Sequence, residues 1–393
     1  MTAAQRPAAQ RRSRMPAALD PVRKFAGQHQ SISIAVGMVL ISVVLYFAAL
    51  VPPLSLFQQQ NSWLGGFVNA GVFMLLALGL NVVIGMAGLL DLGYAAFFAI
   101  GAYFYAFGAS PFTGNHFPFL ILLLLGAVCA ALFGILLGAP TLRLRGDYLA
   151  IVTLGFGEIV PILFLNLEKY TAGTNGIPGI DRPNIAGFEF PGIDQLPYFI
   201  LMVVVVTVTM ILLYRIQDSR VGRAWMAIRE DELAAAANGI NTVTTKLLAF
   251  AIGATTAGFA GVLNAAKLTI VDPTQFLFTV SFTVLTMVVL GGMGNIWGVA
   301  IGAFVIYNIQ AVLLKQLTGF FDEVPVPILS DINFVQYQFL LYGLALVAMM
   351  LVRPEGLFPE RRRARELHAA DLGDEIPTEA SPSGEDANPV VGS

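Results

Sequence analysis

The feature that most constrains this chain is a series of apolar runs, each long enough to cross about 30 Å of hydrocarbon, a distance that takes roughly 20 helical residues. The runs fall at about 32–51, 64–86, 92–107, 117–138, 148–166, 198–216, 247–271, 276–290, 297–317 and 334–352. Composition agrees: 56% of the residues are hydrophobic and only 12% charged, where soluble domains run near a quarter charged. The chain reads as an all-α integral membrane protein, a polytopic helical bundle of about ten transmembrane helices. The first run follows a basic segment, as in a signal peptide, but it is longer than the usual h-region. Pro52 and Pro53 end it without a small-residue cleavage site, so it reads as an anchor.

The formal net charge of −3 hides a segregation of charges. Arg6, Arg11, Arg12, Arg14, Arg23 and Lys24 crowd the first thirty residues, and acidic residues dominate the last forty. Arg143, Arg145, Arg215, Arg220, Arg223, Arg229, Lys246 and Arg353 fall in or beside alternate loops, whereas the longest of the other loops holds only Lys169 and Arg182. Basic loops stay in the cytoplasm, which predicts both termini on that side. Three parts follow. Residues 1–30 form a disordered basic arm, 31–353 a transmembrane domain, and 354–393 a disordered acidic tail, being Ser/Pro/Glu/Asp-rich without apolar periodicity.

Two loops stand out. The cytoplasmic one, 217–246, predicts two short helices. Asp218 or Ser219 can cap the first, with Val221, Trp225 and Ile228 along one face. Asp231 can cap the second, which runs through Glu232 and four alanines to Gly239, a residue that tolerates φ > 0. Such an alanine face is either a docking surface or part of an ordinary helical loop. The opposite loop, 167–196, is dense in Gly, Pro and Asn, which make turns. Asp181, Glu189 and Asp194 give it polar contact points.

Polar residues within the spans are few. Glu158 lies near mid-span, where a carboxylate costs a few kcal/mol unless paired, protonated or wetted. It is a translocation-path candidate, with Asn81 and Asp91 beside it; structural accounts are a helix-to-helix bond for Asn81 and a solvated inner mouth for Asp91. Lys267 is expected to snorkel to the outer interface. Gly294, Gly298 and Gly302 recur every fourth residue and predict a packing face on one helix. Gly88 and Gly93 suggest a broken or re-entrant helix. There is no G-x-x-x-x-G-K-[ST] phosphate loop, no His/Cys cluster for a metal, and one cysteine, Cys129.

Several stretches resemble one family. GRAWMAIREDELAAAANGIN (222–241), GLLDLGYAAFFAIGAY (88–103), RGDYLAIVTLGFGEIV (145–160), TNGIPGI (174–180) and GGMGNIWGVAIGAF (291–304) are similar, in order, to the LivM-type permeases of branched-chain amino-acid ABC importers. The resemblance implies a transport subunit rather than an enzyme, in the bacterial cytoplasmic (inner) membrane. It implies that Arg229, Glu230, Asp231, Glu232, Ala234, Ala235, Ala236 and Gly239 form an ATPase-coupling surface. Leu233 stands where the general coupling pattern has Glu. It further implies a second, LivH-type permease, two ATPase subunits that bind the ATP and Mg, a periplasmic or lipid-anchored substrate-binding protein, contact with membrane lipid, and no nucleic-acid partner or cofactor on this chain. Import of urea or a short amide is the close alternative. An ion-coupled secondary carrier is a poorer fit, because Glu158 is nearly its sole candidate coupling group.

Overall fold

A computed structural model describes residues 30–49, 60–141, 147–185, 187–314, 337–353 and 356–358. The expected arm (apart from Gln30), Arg143, Arg145 and the tail beyond residue 358 lie outside the described residues. The apolar helices are α1 (Gln30–Ala48), α2 (Gln60–Leu80, continued by a π-helical segment Asn81–Met86), α3 (Ala95–Gly108), α4 (Phe119–Thr141), α5 (Asp147–Asn166) and α6 (Leu196–Gln217). Two short polar helices follow, α7 (Arg220–Glu230) and α8 (Glu232–Ala237). The apolar series resumes with α9 (Thr242–Leu268), α10 (Phe278–Gly291), α11 (Ile296–Asn308, continued by a π-helical segment Ile309–Leu314) and α12 (Gln338–Val352). Among the described residues seven of these segments are long and apolar enough to cross a membrane; α3, α11 and α12 are shorter apolar helices.

Helix ends depart from the apolar runs for local reasons. The third run begins at 92, yet α3 starts at Ala95, because the Asp91 carboxylate accepts the Gly93 amide and holds a turn there. Helix α9 starts before its run, since Asn241 caps it by accepting the Thr244 amide. It also ends earlier: Ile270–Val271 leave the helix and pair antiparallel with Ile177–Pro178 of the 167–196 loop.

Burial separates the bundle into inner and outer helices. The apolar window of α2 is 83% buried and that of α9 67%, against 11% for α1. Helix α9 packs on α2, α3 and α4, and small residues set how closely. A Cβ on Gly101 would lie 2.5 Å from the Gly258 carbonyl oxygen, and one on Gly258 only 2.8 Å from the Ala127 Cα. A side chain at Gly261 would overlap the Phe98 carbonyl. Lipid tails give helices no hydrophobic reason to associate, so close backbone approach of this kind carries the packing.

The two singled-out loops lie at opposite ends of α9, whose 27 residues span about 40 Å at roughly 1.5 Å each. The 167–196 loop meets the Thr269–Val271 end, where Ile180 also donates to the Thr269 carbonyl. Gln195 donates to the Asn61 side chain at the start of α2, and Asn61 donates to the Ile193 carbonyl. Helices α7 and α8 occupy the Thr242 end.

Gly261→Val should therefore push α9 off α3 and destabilise the fold by about 1–3 kcal/mol, the usual range for overpacking. Thermal unfolding in detergent reads this, with Gly343→Val, whose Cβ meets nothing within 4 Å, as the control. Equal melting temperatures for the two variants would remove the close-contact account of the core.

Candidate functional site

The cytoplasmic-type loop folds from its caps inward. The Ser219 hydroxyl accepts the amides of Val221 and Gly222 at 3.2 and 3.4 Å and starts α7. Trp225 is fully buried, and its indole N–H donates to the Thr245 carbonyl at 2.7 Å. With Ile228 it seats the apolar face of α7 on the bundle. Asp231 accepts the amides of Leu233 and Ala234 at 2.8 and 3.0 Å and starts α8. Helix α8 ends in a Schellman turn: Gly239 donates to the Ala236 carbonyl and Ile240 to the Ala235 carbonyl, with Gly239 at φ +83°.

This geometry sorts the residues named from the sequence. Asp231, Ala234, Ala236 and Gly239 are exposed, as is Glu230, and Leu233 is 67% exposed. Ala235 is different: it is only 4% exposed, so its methyl packs into the helical bundle itself and is no free docking surface. Lys246 is not a loop-surface cation either. It is buried at the start of α9 and pairs with Glu232 at 2.5 Å, tying α8 to α9.

Arg229 turns toward the spans rather than outward. Its guanidinium donates to the Gly85 carbonyl in the π-helical end of α2. Gly88, at φ +71°, lets the chain pass: a Cβ there would sit 2.8 Å from the Arg229 Cγ. From Ala87 to Gly93 the backbone is not helical, so the broken helix expected around Gly88 and Gly93 is present. Asn81, fully buried, accepts the Gly294 amide at 2.8 Å, which joins this break to the turn between α10 and α11. Gln217, at the end of α6, donates to the Gly294 carbonyl at 3.4 Å.

Gly294 therefore does not share a helix face with Gly298 and Gly302. It lies in the turn before α11 at φ +92°, where a left-handed backbone needs glycine. Gly298 and Gly302 do pack, since a Cβ on either would come within 2.6 and 2.5 Å of Gly291 backbone atoms. The region expected to be disordered from residue 354 also contributes. Leu357 donates to the Leu290 carbonyl at 2.9 Å, and Asn295 donates to the Phe358 carbonyl at 3.0 Å, so residues 356–358 strap the same turn.

On the far side of the break, Asp91 is buried rather than solvated at a mouth. The gap beside it, lined by Phe97, Thr153 and Phe250, is only about 10 Å³, far too small for a solute. The α3 end of the break is pinned by three helices: Thr153 of α5 accepts the Leu92 amide, Ser281 of α10 accepts the Ala95 amide, and Tyr94 donates to the Gly253 carbonyl of α9. Gly93 lies directly on the Thr153 carbonyl and Gly157. Sequence reasoning missed Thr153, Gln217 and Ser281, because hydroxyls and amides in or beside spans look alike until their partners are known.

Glu158 is half-buried at mid-length of α5, beside the exposed Ile159, with no hydrogen bond or ion pair among the described residues. Lys267 does not snorkel. It donates to the Gly65 carbonyl at 2.7 Å and to the Asn69 side chain at 2.5 Å, both on α2. Among the described residues no group of three His, Cys, Asp or Glu stands close enough to hold a metal. What the arrangement does hold is a set of polar contacts that ties the short helix α7 to one interruption of the membrane helices and that interruption to a second.

Comparison with known proteins agrees. Residues 62–353 match the family model for the branched-chain amino acid transport system/permease component. The chain is 40% identical, over 74% of its own length and 68% of theirs, to the high-affinity branched-chain amino acid transport system permease proteins LivM of Salmonella typhimurium and Escherichia coli. It is 26% identical, over 68% of its length and 89% of the relative's, to the corresponding LivH of Escherichia coli. No solved structure matches. The chain belongs to the family of permease components of branched-chain amino acid transport systems, which are multi-pass membrane transport subunits rather than enzymes.

Proposed function

We propose that this chain is one of two permease subunits of an ABC importer in the bacterial inner membrane and forms half of a path for branched-chain amino acids. The second subunit is a LivH-type chain, and the 26% identity to LivH supports two related halves. Two ATPase subunits, which carry the ATP and Mg, dock on the α7–α8 end; a substrate-binding protein meets the 167–196 end. The observation that carries the reading is α8 itself. It is a capped helix whose exposed side holds Leu233, Ala234 and Ala236, small enough to enter a groove, and its neighbour Arg229 is bonded to a broken membrane helix. Movement of the paired helices α7 and α8 thus reaches the Gly85–Gly88 break through Arg229 of α7 and the Gly294 turn through Asn81. The direct experiment is ATP-driven uptake by the reconstituted complex with a panel of labelled solutes; uptake of urea or acetamide but not leucine would replace the substrate class.

Ala236→Arg places a long cation on the exposed side of α8. Gly239→Val forces a β-branched residue to φ +83°, at about 1–2 kcal/mol. Both should leave the permease in the membrane while ATPase retention weakens at least about tenfold, roughly 1.4 kcal/mol. Normal co-purification in both variants would refute the docking role.

Arg229→Met breaks a different link. It leaves the Gly85 carbonyl without its donor, a loss of about 1–3 kcal/mol, while the face of α8 is untouched. The ATPases should still bind and hydrolyse ATP, but fewer solutes should enter per ATP. A wild-type ratio of uptake to hydrolysis would show that Arg229 transmits nothing.

Glu158 faces the aqueous path or the second permease in this reading, since a mid-span carboxylate facing lipid costs about 2.5–3.5 kcal/mol. Glu158→Gln should lower uptake with unchanged membrane levels. Wild-type uptake would return Glu158 to a structural role.

A further inference from the structure

At the end of the bundle that carries the 167–196 loop, the starts of α2 and α6, the end of α9 and the last turn of α11 surround an open pocket of about 520 Å³. Its walls include Asn61, Trp63, Asn69, Gln195, Lys267 and Tyr307. Lys267 is the one charged group among them, and none of the lining residues is acidic. The ammonium has three donors. Two go to neutral acceptors, the Gly65 carbonyl and the Asn69 amide oxygen. Among the described residues no carboxylate pairs with it.

A half-buried cation whose partners among the described residues are all neutral dipoles is an incomplete arrangement. Removing a charge from water is costly unless a counter-charge replaces the lost hydration. A carboxylate supplies it with a charge-assisted hydrogen bond, shorter and about twice as strong as a neutral one. The rest of the pocket suits what such a ligand would carry: Trp63, Tyr307 and Ala311 offer apolar surface, and Asn61 and Gln195 offer amides.

We infer that Lys267, positioned by Asn69 and Gly65, forms a carboxylate-binding subsite that receives a small aliphatic amino acid at the outer mouth of the permease. This rests on the importer reading for the identity of the solute but not for the anion chemistry. A helix clamp is the competing account, because the same two bonds join α9 to α2.

The test is protection of Lys267 in the full chain, in right-side-out membrane vesicles. The vesicles are treated with an amine-reactive reagent in large excess over the added solute, and modification of the Lys267 peptide, relative to that of the exposed Lys169 so that reagent consumed by the solutes' own amines cancels, is read by mass spectrometry in the presence of L-leucine or L-leucinamide. Leucinamide has the same side chain and lacks the carboxylate. The inference expects leucine, and not leucinamide, to slow modification several-fold. Protection by L-glutamate or acetate but not by leucine keeps the anion subsite and counts against the branched-chain substrate. No protection by any carboxylate, or no modification of Lys267 at all, overturns the subsite. Variants add an independent reading. Lys267→Met should raise the KM for uptake about tenfold with ATPase retention unchanged, and Lys267→Arg should restore it. Equal loss of melting temperature and of uptake in both variants, with KM unchanged, would leave only the clamp.

Discussion

Backbone groups freed by a break in a membrane helix must find partners inside the protein, because hydrocarbon offers none. This structure meets that demand at two interruptions. At the first, the Gly85 carbonyl accepts from Arg229, and the amides of Leu92, Gly93 and Ala95 donate to Thr153, Asp91 and Ser281. At the second, the Gly294 amide goes to Asn81 and its carbonyl to Gln217. All of these partners except Asp91 come from other parts of the chain. The breaks therefore hold the helices together while remaining the places where helix direction can change at small cost. Gly85, Gly88, Gly93 and Gly294 are glycines because the partners come too close for a side chain or because φ is positive.

The same demand explains what was legible in the sequence. Apolar length gave the spans, and short-range chemistry gave the loop helices: Ser219, Asp231 and Gly239 act within two or three residues of themselves, so their roles are visible without knowing the fold. Orientation against the rest of the molecule was not visible. Ala235 and Ala236 are adjacent and identical, yet one is buried and the other exposed. Lys246 and Arg229 looked like surface cations of a basic loop, but one is paired with Glu232 and the other reaches a span. Asp91 looked solvated because its stretch is rich in glycine, when those glycines bring α5 close enough to cover it. Periodicity identifies a face; it does not say whether that face meets the same chain, a partner or water.

The strap at 356–358 shows a related limit. The composition beyond residue 353 is that of a disordered segment, and composition averages over a window. Three residues escape that average: Gly356 turns the chain at φ +84°, and Leu357 and Phe358 donate to the carbonyls of Leu290 and Gly291. They lie four to six residues beyond the end of α12 at Val352, and their backbone hydrogen bonds join the chain after that helix to the end of α10. The turn that Asn81 grips from one side is thus gripped from the other by the chain beyond α12.

Helix α9 relates the two ends. It is the long inner helix, and a buried or half-buried lysine anchors it near each terminus: Lys246 to Glu232 of α8, and Lys267 to Gly65 and Asn69 of α2. Between them its small residues lie against the backbones of α3 and α4 with no slack for a methyl group. A helix packed so tightly moves as a rod rather than bending locally, because interdigitated cores shift between discrete arrangements and do not deform continuously. In the proposed importer, a displacement of α8 would be carried along about 40 Å to the Lys267 pocket, without a signal having to pass side chain by side chain. Arg229 supplies the second arm, from α7 to the break beside Gly88. In the proposed importer the two arms diverge from one short surface, so a single push at the α7–α8 end would act on the Lys267 pocket and on the helix break together, which is the mechanical requirement for a path that opens at one end as it closes at the other.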